Sequence, residues 1–483
     1  MLKTYSNYKE LARVLGKQYA SGGNRKTVCV QGLGFVGVPM AAAIAKAIGN
    51  KGEPIFDVIG VDLPTELGQH RVDSINRGEL PFESEDIELT AAIRASSRSG
   101  NLLAVPDPEV YKIADIVVVD VPLGLKSENG SLCLDWQPFK AAMQTLGENV
   151  SRGALIIVET TVPPGTCENI AMPIIAECLI RRGLSADSVF LAHSYERVMP
   201  GKNSLSSITN FWRVYSGFTK EAADLCEEFL KSVIDTDEFP LTRLPKPIAS
   251  ETAKILENSY RAANIAFMEE WARFGEQLGI DMFEVVEAIR KRPTHANMMS
   301  PGFGVGGYCL TKDPLFASLG AKDLFALDLS FPLSSAAVRI NDQMPLRSLE
   351  LVESLLKGGL RGKRLLLCGV SYRAGVGDTR YSPSQLFVEE AQHRGAIVDV
   401  SDPTLDYWSQ LGLSVSKEIP EAAGFDAVVF AVAHREYSEI NFENWLDSRV
   451  SLVFDAANAL THEQRKVCNK MGCEVFLRGC GLQ

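Results

Sequence analysis

The chain has 483 residues, is 46% hydrophobic and 23% charged, and carries a formal net charge of −11. These are the values of an ordinary globular protein, and at roughly 150 residues per domain the length implies about three domains. Collagen, coiled-coil rod and wholly disordered chains are excluded, and the balance of 60 Asp+Glu against 49 Lys+Arg argues against nucleic-acid or anionic-membrane partners, which the mean field would repel.

The first residues, MLKTYSNYKELARVLGKQYASGG, contain no apolar signal-peptide core. The longest apolar runs, such as AVVFAVA at 427–433, are too short to span a bilayer and read as buried parallel strands. A cytoplasmic protein with no membrane partner is therefore expected. Ten cysteines are scattered from Cys29 to Cys480 with no C-x-x-C spacing, which reads as reduced packing thiols rather than disulfides or a zinc ribbon. Six histidines without H-x-x-x-H or H-E-x-x-H lead us to expect no metal.

In chain order, residues 27–31 form a short β-branched strand, and from about Pro39 the pattern turns alanine-rich and helical. IFDVIGVD, ADIVVVDVP, ALIIVETTVP and SVFLAHS are further short apolar runs separated by helical stretches. That alternation predicts a doubly wound, mostly parallel sheet. The segment from about Pro247 to Met344 is helical. It opens with a stretch free of Gly and Pro until Gly275, in which Ile255, Tyr260, Ala263, Phe267, Trp271 and Phe274 recur at helical spacing. So long a helix is expected to bury two faces, as a domain connector or dimer interface would. Strand–helix alternation restarts at KRLLLCGVSYR (363–373) and continues through AIVDVSDP, AVVFAVAHREY and SLVFDAAN, which predicts a second α/β domain.

Gly32-Leu-Gly34-Phe35-Val36-Gly37 follows a strand and opens a helix, the context in which G-x-G-x-x-G binds a dinucleotide. The first glycine permits the turn, the second admits the pyrophosphate and the third lets helix and strand pack. The next strand ends in Asp62, placed to hold a ribose and to favour NAD over a 2′-phosphorylated cofactor. The loop PGFGVGGYCLTKDP (301–314) has four glycines in six residues and delivers Cys309, with Lys312 and Asp313 immediately after. Taken alone it reads equally as an activated thiol or as a structural cysteine beside a glycine turn. Glu251, Lys254 and Asn258 share one helix face, a pattern that a solvated charged face would also produce. ETTVPPGT (159–166) and HSYERVMPGK, with Glu196 and Arg197, follow candidate strands, where ligands of open α/β sheets bind.

These motifs in this order resemble the UDP-glucose/GDP-mannose dehydrogenase family of nucleotide-sugar 6-dehydrogenases, over nearly the whole chain. GFGVGGYCLTKD is the most specific match, and E-x-x-K-x-x-x-N, TVPPGT and GDTRYSP (377–383) also fit. The resemblance implies two Rossmann-like doubly wound parallel-sheet domains joined by a central helical domain with one long helix. The NAD-binding domain would take residues 1–245. A dimerisation domain carrying the Lys/Asn pair and the Cys loop would take 246–345, and a nucleotide-sugar-binding domain 346–483.

The implied reaction is a four-electron oxidation of a sugar 6-hydroxymethyl to the uronate with two NAD and one water, through a thiohemiacetal and thioester on Cys309. Lys254 and Asn258 would stabilise the oxyanion, Asp313 would assist the thiol and the hydrolytic water, and Glu196 and Thr161 complete the catalytic set. Gly32, Gly34, Phe35, Val36, Gly37, Asp62, Arg71, Thr160, Lys312 and Arg380 would bind NAD. Glu196, Arg197, Lys254, Asn258, Arg261, Phe303, Gly304, Gly306, Gly307, Tyr372 and Arg373 would bind the sugar nucleotide.

The chain departs from the family pattern in four places. The P-E motif reads Tyr195-Glu196, the lysine of the F/Y-K step is Arg373, a C-terminal arginine is Ala457, and V-P-T-P reads VPLGL. Glu196-Arg197 resembles the P-E-R of members acting on UDP-N-acetylhexosamines, with UDP-glucose or GDP-mannose as the alternative substrate. The other readings are a two-electron dehydrogenase of the 6-phosphogluconate or hydroxyacid type, and a non-catalytic nucleotide-sugar sensor. A homodimer or higher homo-oligomer is expected.

Overall fold

The computed structural model describes residues 25–199 and 201–483; the polar first residues lie outside them. The chain divides into two compact units. One runs to Ile255 and includes Phe316–Ser330, and the other comprises Leu256–Leu315 with Phe331–Gln483. The division falls inside one continuous helix, Pro247–Leu278.

The first unit is built on the strands β1 (Lys26–Gln31), β2 (Phe56–Val61), β3 (Leu102–Val105), β4 (Ile116–Val119), β5 (Leu155–Val158), β6 (Phe190–His193), β7 (Val214–Gly217) and β8 (Thr242–Arg243). They lie in the order β8-β7-β6-β5-β4-β1-β2-β3. The run 3-2-1-4-5-6 within it is the dinucleotide-binding order. Its strands are apolar on both faces because helices cover both. Val28 and Val30 point into one core cluster and Cys29 into the other.

Strand register sets which residues share an edge of this sheet. Gln31 pairs with Val61 and Val119, Val119 with Val158, and Val158 with His193. These strands therefore end level, and Gly32, Asp62, Asp120, Glu159 and Ser194 emerge together at the carboxyl edge. Antiparallel β7 brings the preceding residue, Arg213, to that same edge.

In the second unit, β9 (Arg364–Cys368), β10 (Ile397–Ser401), β11 (Ala427–Phe430), β12 (Leu452–Asp455), β13 (Glu474–Leu477) and β14 (Gly481–Leu482) run in the order β10-β9-β11-β12-β13-β14. All neighbours are parallel except β13 and β14. Two α/β sheets with a helical region between them agree with the fold class expected from the sequence.

The sequence pattern does not announce β3, β7, β8, β13, β14 or an antiparallel hairpin of Gly124–Glu128 with Ser131–Asp135. These are short or polar runs without a period-2 signal. The long helix has 32 residues and includes Gly275. A Cβ at Gly275 would stand 2.5 Å from Met282 and 3.0 Å from the Gly479 carbonyl, so the glycine is there for close packing rather than to end the helix. The helix stops at Leu278, before Gly279 at φ +66°. Its second apolar face is uncovered in the single chain, with Leu256, Tyr260, Phe267, Trp271, Phe274 and Leu278 between 45 and 66% exposed.

None of the ten cysteines is in a disulfide, and eight are buried. Cys133, expected to be a packing thiol, is half-exposed because the missed hairpin lifts it off the core, and Cys309 is exposed. No helix among the described residues is long and apolar enough to cross a membrane.

Candidate active site

The glycine turn between β1 and α1 (Gly37–Lys46) is shaped for a ligand. Gly32 has φ +99°, and a Cβ there would stand 2.7 Å from the Asp120 carbonyl. A Cβ on Gly37 would stand 1.8 Å from the Gly32 carbonyl, so only glycine fits. A Cβ on Gly34 would meet nothing within 4 Å, leaving its backbone open to an incoming group. Val36 caps α1 without a side-chain hydrogen bond, and no acidic residue occupies the first turn. The helix start thus keeps its backbone donors and positive dipole end for an anion. Phe35 stacks on Phe82 with ring centroids 4.3 Å apart. Asp62 accepts from the backbone of Leu33 at 3.0 Å and from Arg71 at 3.1 Å, which fixes its carboxylate beside the turn. These residues fit a dinucleotide with a free ribose hydroxyl pair.

Further along the same edge, Thr160 donates to the carbonyls of Val119 and Val121 at 3.1 and 2.8 Å, and Thr161 is half-buried beside it. Glu159 and Arg213 form a fully buried ion pair. Burial and the Glu159 charge hold the Asp120 carboxyl well above the usual carboxylate range. Burial raises Glu159 too, with Arg213 opposing. One buried guanidinium therefore serves neighbouring carboxyls. Neither Arg213 nor Asp120 was singled out from the sequence, since their partnership arises only from strand register.

Glu251 accepts from the backbone N–H groups of Gly165 and Cys167, the latter at 2.8 Å, pinning the PPGT turn to the long helix. One turn on, Lys254 is 6% exposed. Its ammonium donates to the Glu196 carbonyl at 2.8 Å and lies 3.5 Å from the Glu196 carboxylate. Its Nζ also lies 5.4 Å from the Tyr195 ring centroid. Burial, and then the Lys254 charge, push the pKa of His193 down to about 3, so the imidazole is neutral. Its Nδ1 pairs with Ser250 Oγ at 2.7 Å. Arg197 donates to the Trp212 carbonyl at 2.6 Å and to the Tyr195 hydroxyl at 3.2 Å.

In the second unit the glycine loop is held from two sides. Asn341 forms a reciprocal pair with the Val305 backbone, both bonds at 2.8 Å. A Cβ on Gly306 would stand 2.4 Å from the Tyr381 carbonyl, and one on Gly307 (φ +79°) 3.1 Å from the Tyr372 ring. Gly304, at φ +119°, faces Pro383, and Phe303 packs on Phe387 with ring centroids 5.7 Å apart. Asn341 was not legible beforehand; a lone polar residue on the buried stripe of its helix was the available signal.

Cys309 is exposed. Its carbonyl accepts from Lys312 and Asp313 at 3.3 and 2.9 Å, which starts the short helix at Asp313–Leu315. Asp313, 1% exposed, accepts from Asn258 and Lys312, each at 2.8 Å. Arg380 pairs with Asp378 and lies 4.4 Å over the Tyr308 ring. Tyr372 is half-buried, while Arg373 and Arg261 are exposed. Among the described residues no group of three metal-ligating side chains converges.

A doubly wound sheet with a dinucleotide turn defines a dehydrogenase of the nicotinamide-dependent class, and the second unit of this chain presents an exposed thiol on a glycine loop. The chain belongs to the UDP-glucose/GDP-mannose dehydrogenase family. The family's NAD binding domain matches residues 26–234, its central domain 249–343 and its UDP binding domain 366–462. It is 31% identical over 462 residues to the UDP-N-acetyl-D-mannosamine dehydrogenase of Methanocaldococcus jannaschii, covering 94% of this chain and 97% of that one. It is 28% identical over 442 residues to an NDP-N-acetyl-D-galactosaminuronic acid dehydrogenase of Ralstonia nicotianae, covering 88% and 94%. The structure of UDP-D-ManNAc dehydrogenase from Pyrococcus horikoshii superposes with a TM-score of 0.79 at 26% identity, covering 94% of this chain and 99% of that one. The protein is a nucleotide-sugar dehydrogenase.

Proposed function

We propose that this enzyme oxidises the 6-hydroxymethyl of a UDP-N-acetylhexosamine, UDP-N-acetylmannosamine foremost, to the uronate, with NAD as acceptor. The observation that carries the reading is Cys309, an exposed thiol on a glycine loop whose backbone is fixed by Asn341, in a chain that also carries an intact dinucleotide turn. The Glu196-Arg197 pair and the activities named for the relatives support the choice of sugar.

Gly32–Gly37 would hold NAD, with Asp62 on a ribose, and the bound nicotinamide would supply the hydride acceptor. In the first oxidation the C6 hydroxyl loses its proton and the carbon loses a hydride, giving the aldehyde. Lys254 and Asn258 act as donors to the oxygen as its charge develops. Asn258 has two amide hydrogens, so one remains for this task while the other binds Asp313. Cys309 Sγ then adds to the aldehyde carbon, forming the C–S bond as the carbonyl oxygen takes up a proton. Loss of the hydroxyl proton and of a second hydride, for which a second NAD at the same turn would be the acceptor, converts the thiohemiacetal to a thioester. Water adds, the thiol leaves, and carboxylate is released. Asp313, which accepts hydrogen bonds from Lys312 and Asn258, takes the proton from thiol and water, and Glu196 with Thr161 orders the water. Arg197, Arg261, Tyr372, Arg373 and the Phe303–Gly307 loop contact the sugar nucleotide. In this reading Arg71, Thr160, Lys312 and Arg380 lie on the cofactor side. The exposed stripe Leu256–Leu278 recurs at heptad-like spacing, and we assign it to a homodimer interface.

NADH release measured on UDP-glucose, UDP-GlcNAc, UDP-ManNAc, UDP-GalNAc and GDP-mannose is expected to be highest with UDP-ManNAc, at two NADH per sugar. Cys309→Ser is expected to abolish uronate formation while NAD still binds. Full turnover by that variant would sink the covalent mechanism.

A further inference from the structure

Tyr195 stands where the family pattern has proline, and the proposed mechanism gives it no task. It is 1% exposed. Two cations converge on its ring, Lys254 Nζ at 5.4 Å and the Arg197 guanidinium at 5.3 Å from the centroid. Its hydroxyl accepts from Arg197 at 3.2 Å. Arg197 is further held by the Trp212 carbonyl at 2.6 Å and lies 5.8 Å over the Phe211 ring. Proline offers neither an aromatic face nor a hydroxyl.

The physical consequences of the two parts differ. An aromatic face attracts a cation most strongly where water is excluded, and Lys254 is buried. The ring therefore helps to hold a buried ammonium that also donates to the backbone carbonyl of Glu196 and pairs with its carboxylate. An arginine side chain left in solvent samples many rotamers. One tied by its fork to a carbonyl and a phenol oxygen is already ordered before a ligand arrives.

We propose that Tyr195 is a positioning residue with two separable tasks. Its ring sets Lys254 for the oxyanion, and its hydroxyl sets Arg197 for the sugar nucleotide. This rests on the roles given to Lys254 and Arg197 above and adds the residue that couples them.

The test is steady-state kinetics of the full-length enzyme with UDP-ManNAc, alongside NAD titration of each variant. Tyr195→Phe keeps the ring and removes the hydroxyl. We expect KM for the sugar nucleotide to rise about three- to tenfold, with kcat close to wild type. Tyr195→Leu removes the ring as well, and kcat is expected to fall about three- to tenfold with NAD affinity unchanged. The Phe variant thus rescues kcat but not KM, a split that a merely structural role would not produce.

Wild-type constants in Tyr195→Leu, or equal losses of kcat in both variants, overturn the proposal. If the Leu variant does not fold, a wild-type KM in Tyr195→Phe overturns it alone. Lys254→Ala separates this from the underlying reading, because wild-type kcat there removes the oxyanion role of Lys254 whatever the tyrosine variants do.

Discussion

Asn258 donates its side-chain amide to Asp313 at 2.8 Å, and Lys312 donates to the other carboxylate oxygen at the same distance. Asp313 is 1% exposed, so these two donors, not water, balance its charge. Asn258→Ala strips one of them and leaves a buried carboxylate oxygen unsatisfied. A loss of about 1.5–3 kcal/mol in folding stability is expected, measured by urea unfolding. Loss of an oxyanion donor is expected to lower kcat about 100-fold or more, with NAD affinity unchanged. A variant with wild-type kcat would remove Asn258 from the reaction while leaving its structural bond to Asp313 in place.

Asp62 is fixed before any cofactor arrives, because Leu33 N–H and Arg71 both donate to it. A carboxylate at this strand end accepts from ribose hydroxyls and repels a 2′-phosphate. Asp62→Ala is expected to raise the NAD dissociation constant about tenfold or more, and to narrow the preference for NAD over NADP. Isothermal titration with both cofactors measures the two effects. An unchanged NAD affinity would take the ribose assignment away from this residue.

The parts of the molecule that were legible beforehand are those written in contiguous residues. Gly32 and Gly37 are demanded by clashes with a backbone five residues away or fewer, or across a neighbouring strand, and their spacing in the chain records this. The Cys309 loop is likewise a continuous word. The rest is made by pairing at a distance. Arg213 meets Glu159 only because β7 runs antiparallel to β6, and Asn341 meets Val305 across 36 residues. Neither leaves a local period or spacing. Strands such as Leu102–Val105 are short and flanked by ordinary polar residues, and they are recruited by the sheet rather than by their own propensity. The exposure of Cys133 depends on the hairpin that carries it, which leaves no signal around the cysteine itself.

The uncovered stripe on the long helix gives a test of self-association. Phe267, Trp271 and Phe274 contact one another edge-on along the helix, and each is about half exposed. A run of large apolar side chains this long is unusual on a face that stays in water. Trp271→Glu keeps a helix-compatible residue and places a charge in the middle of the stripe. Light scattering coupled to gel filtration is expected to show a dimeric or larger wild type and a smaller species for the variant, with far-UV circular dichroism unchanged. A monomeric wild type would remove the interface.

Glu251 should make stability depend on pH in an unusual direction. Burial raises its pKa from 4.5 to about 7, opposed by the N–H groups of Cys167 and Gly165. Because the folded pKa lies above the unfolded one, the folded state binds the proton more tightly. The resulting contribution is fully present below pH 4.5 and is lost as pH rises through about 7. The shift corresponds to about 3 kcal/mol between those limits. Glu251→Gln cannot ionise, and its amide still accepts from one of the two N–H groups while crowding the other, a cost that does not vary with pH. The difference in urea-unfolding free energy between wild type and Glu251→Gln is therefore expected to shift against the wild type by a few kcal/mol from pH 4.5 to 8, through this group alone. A difference that stays flat across that range would mean that the Glu251 carboxylate is solvated as well in the fold as in the unfolded chain.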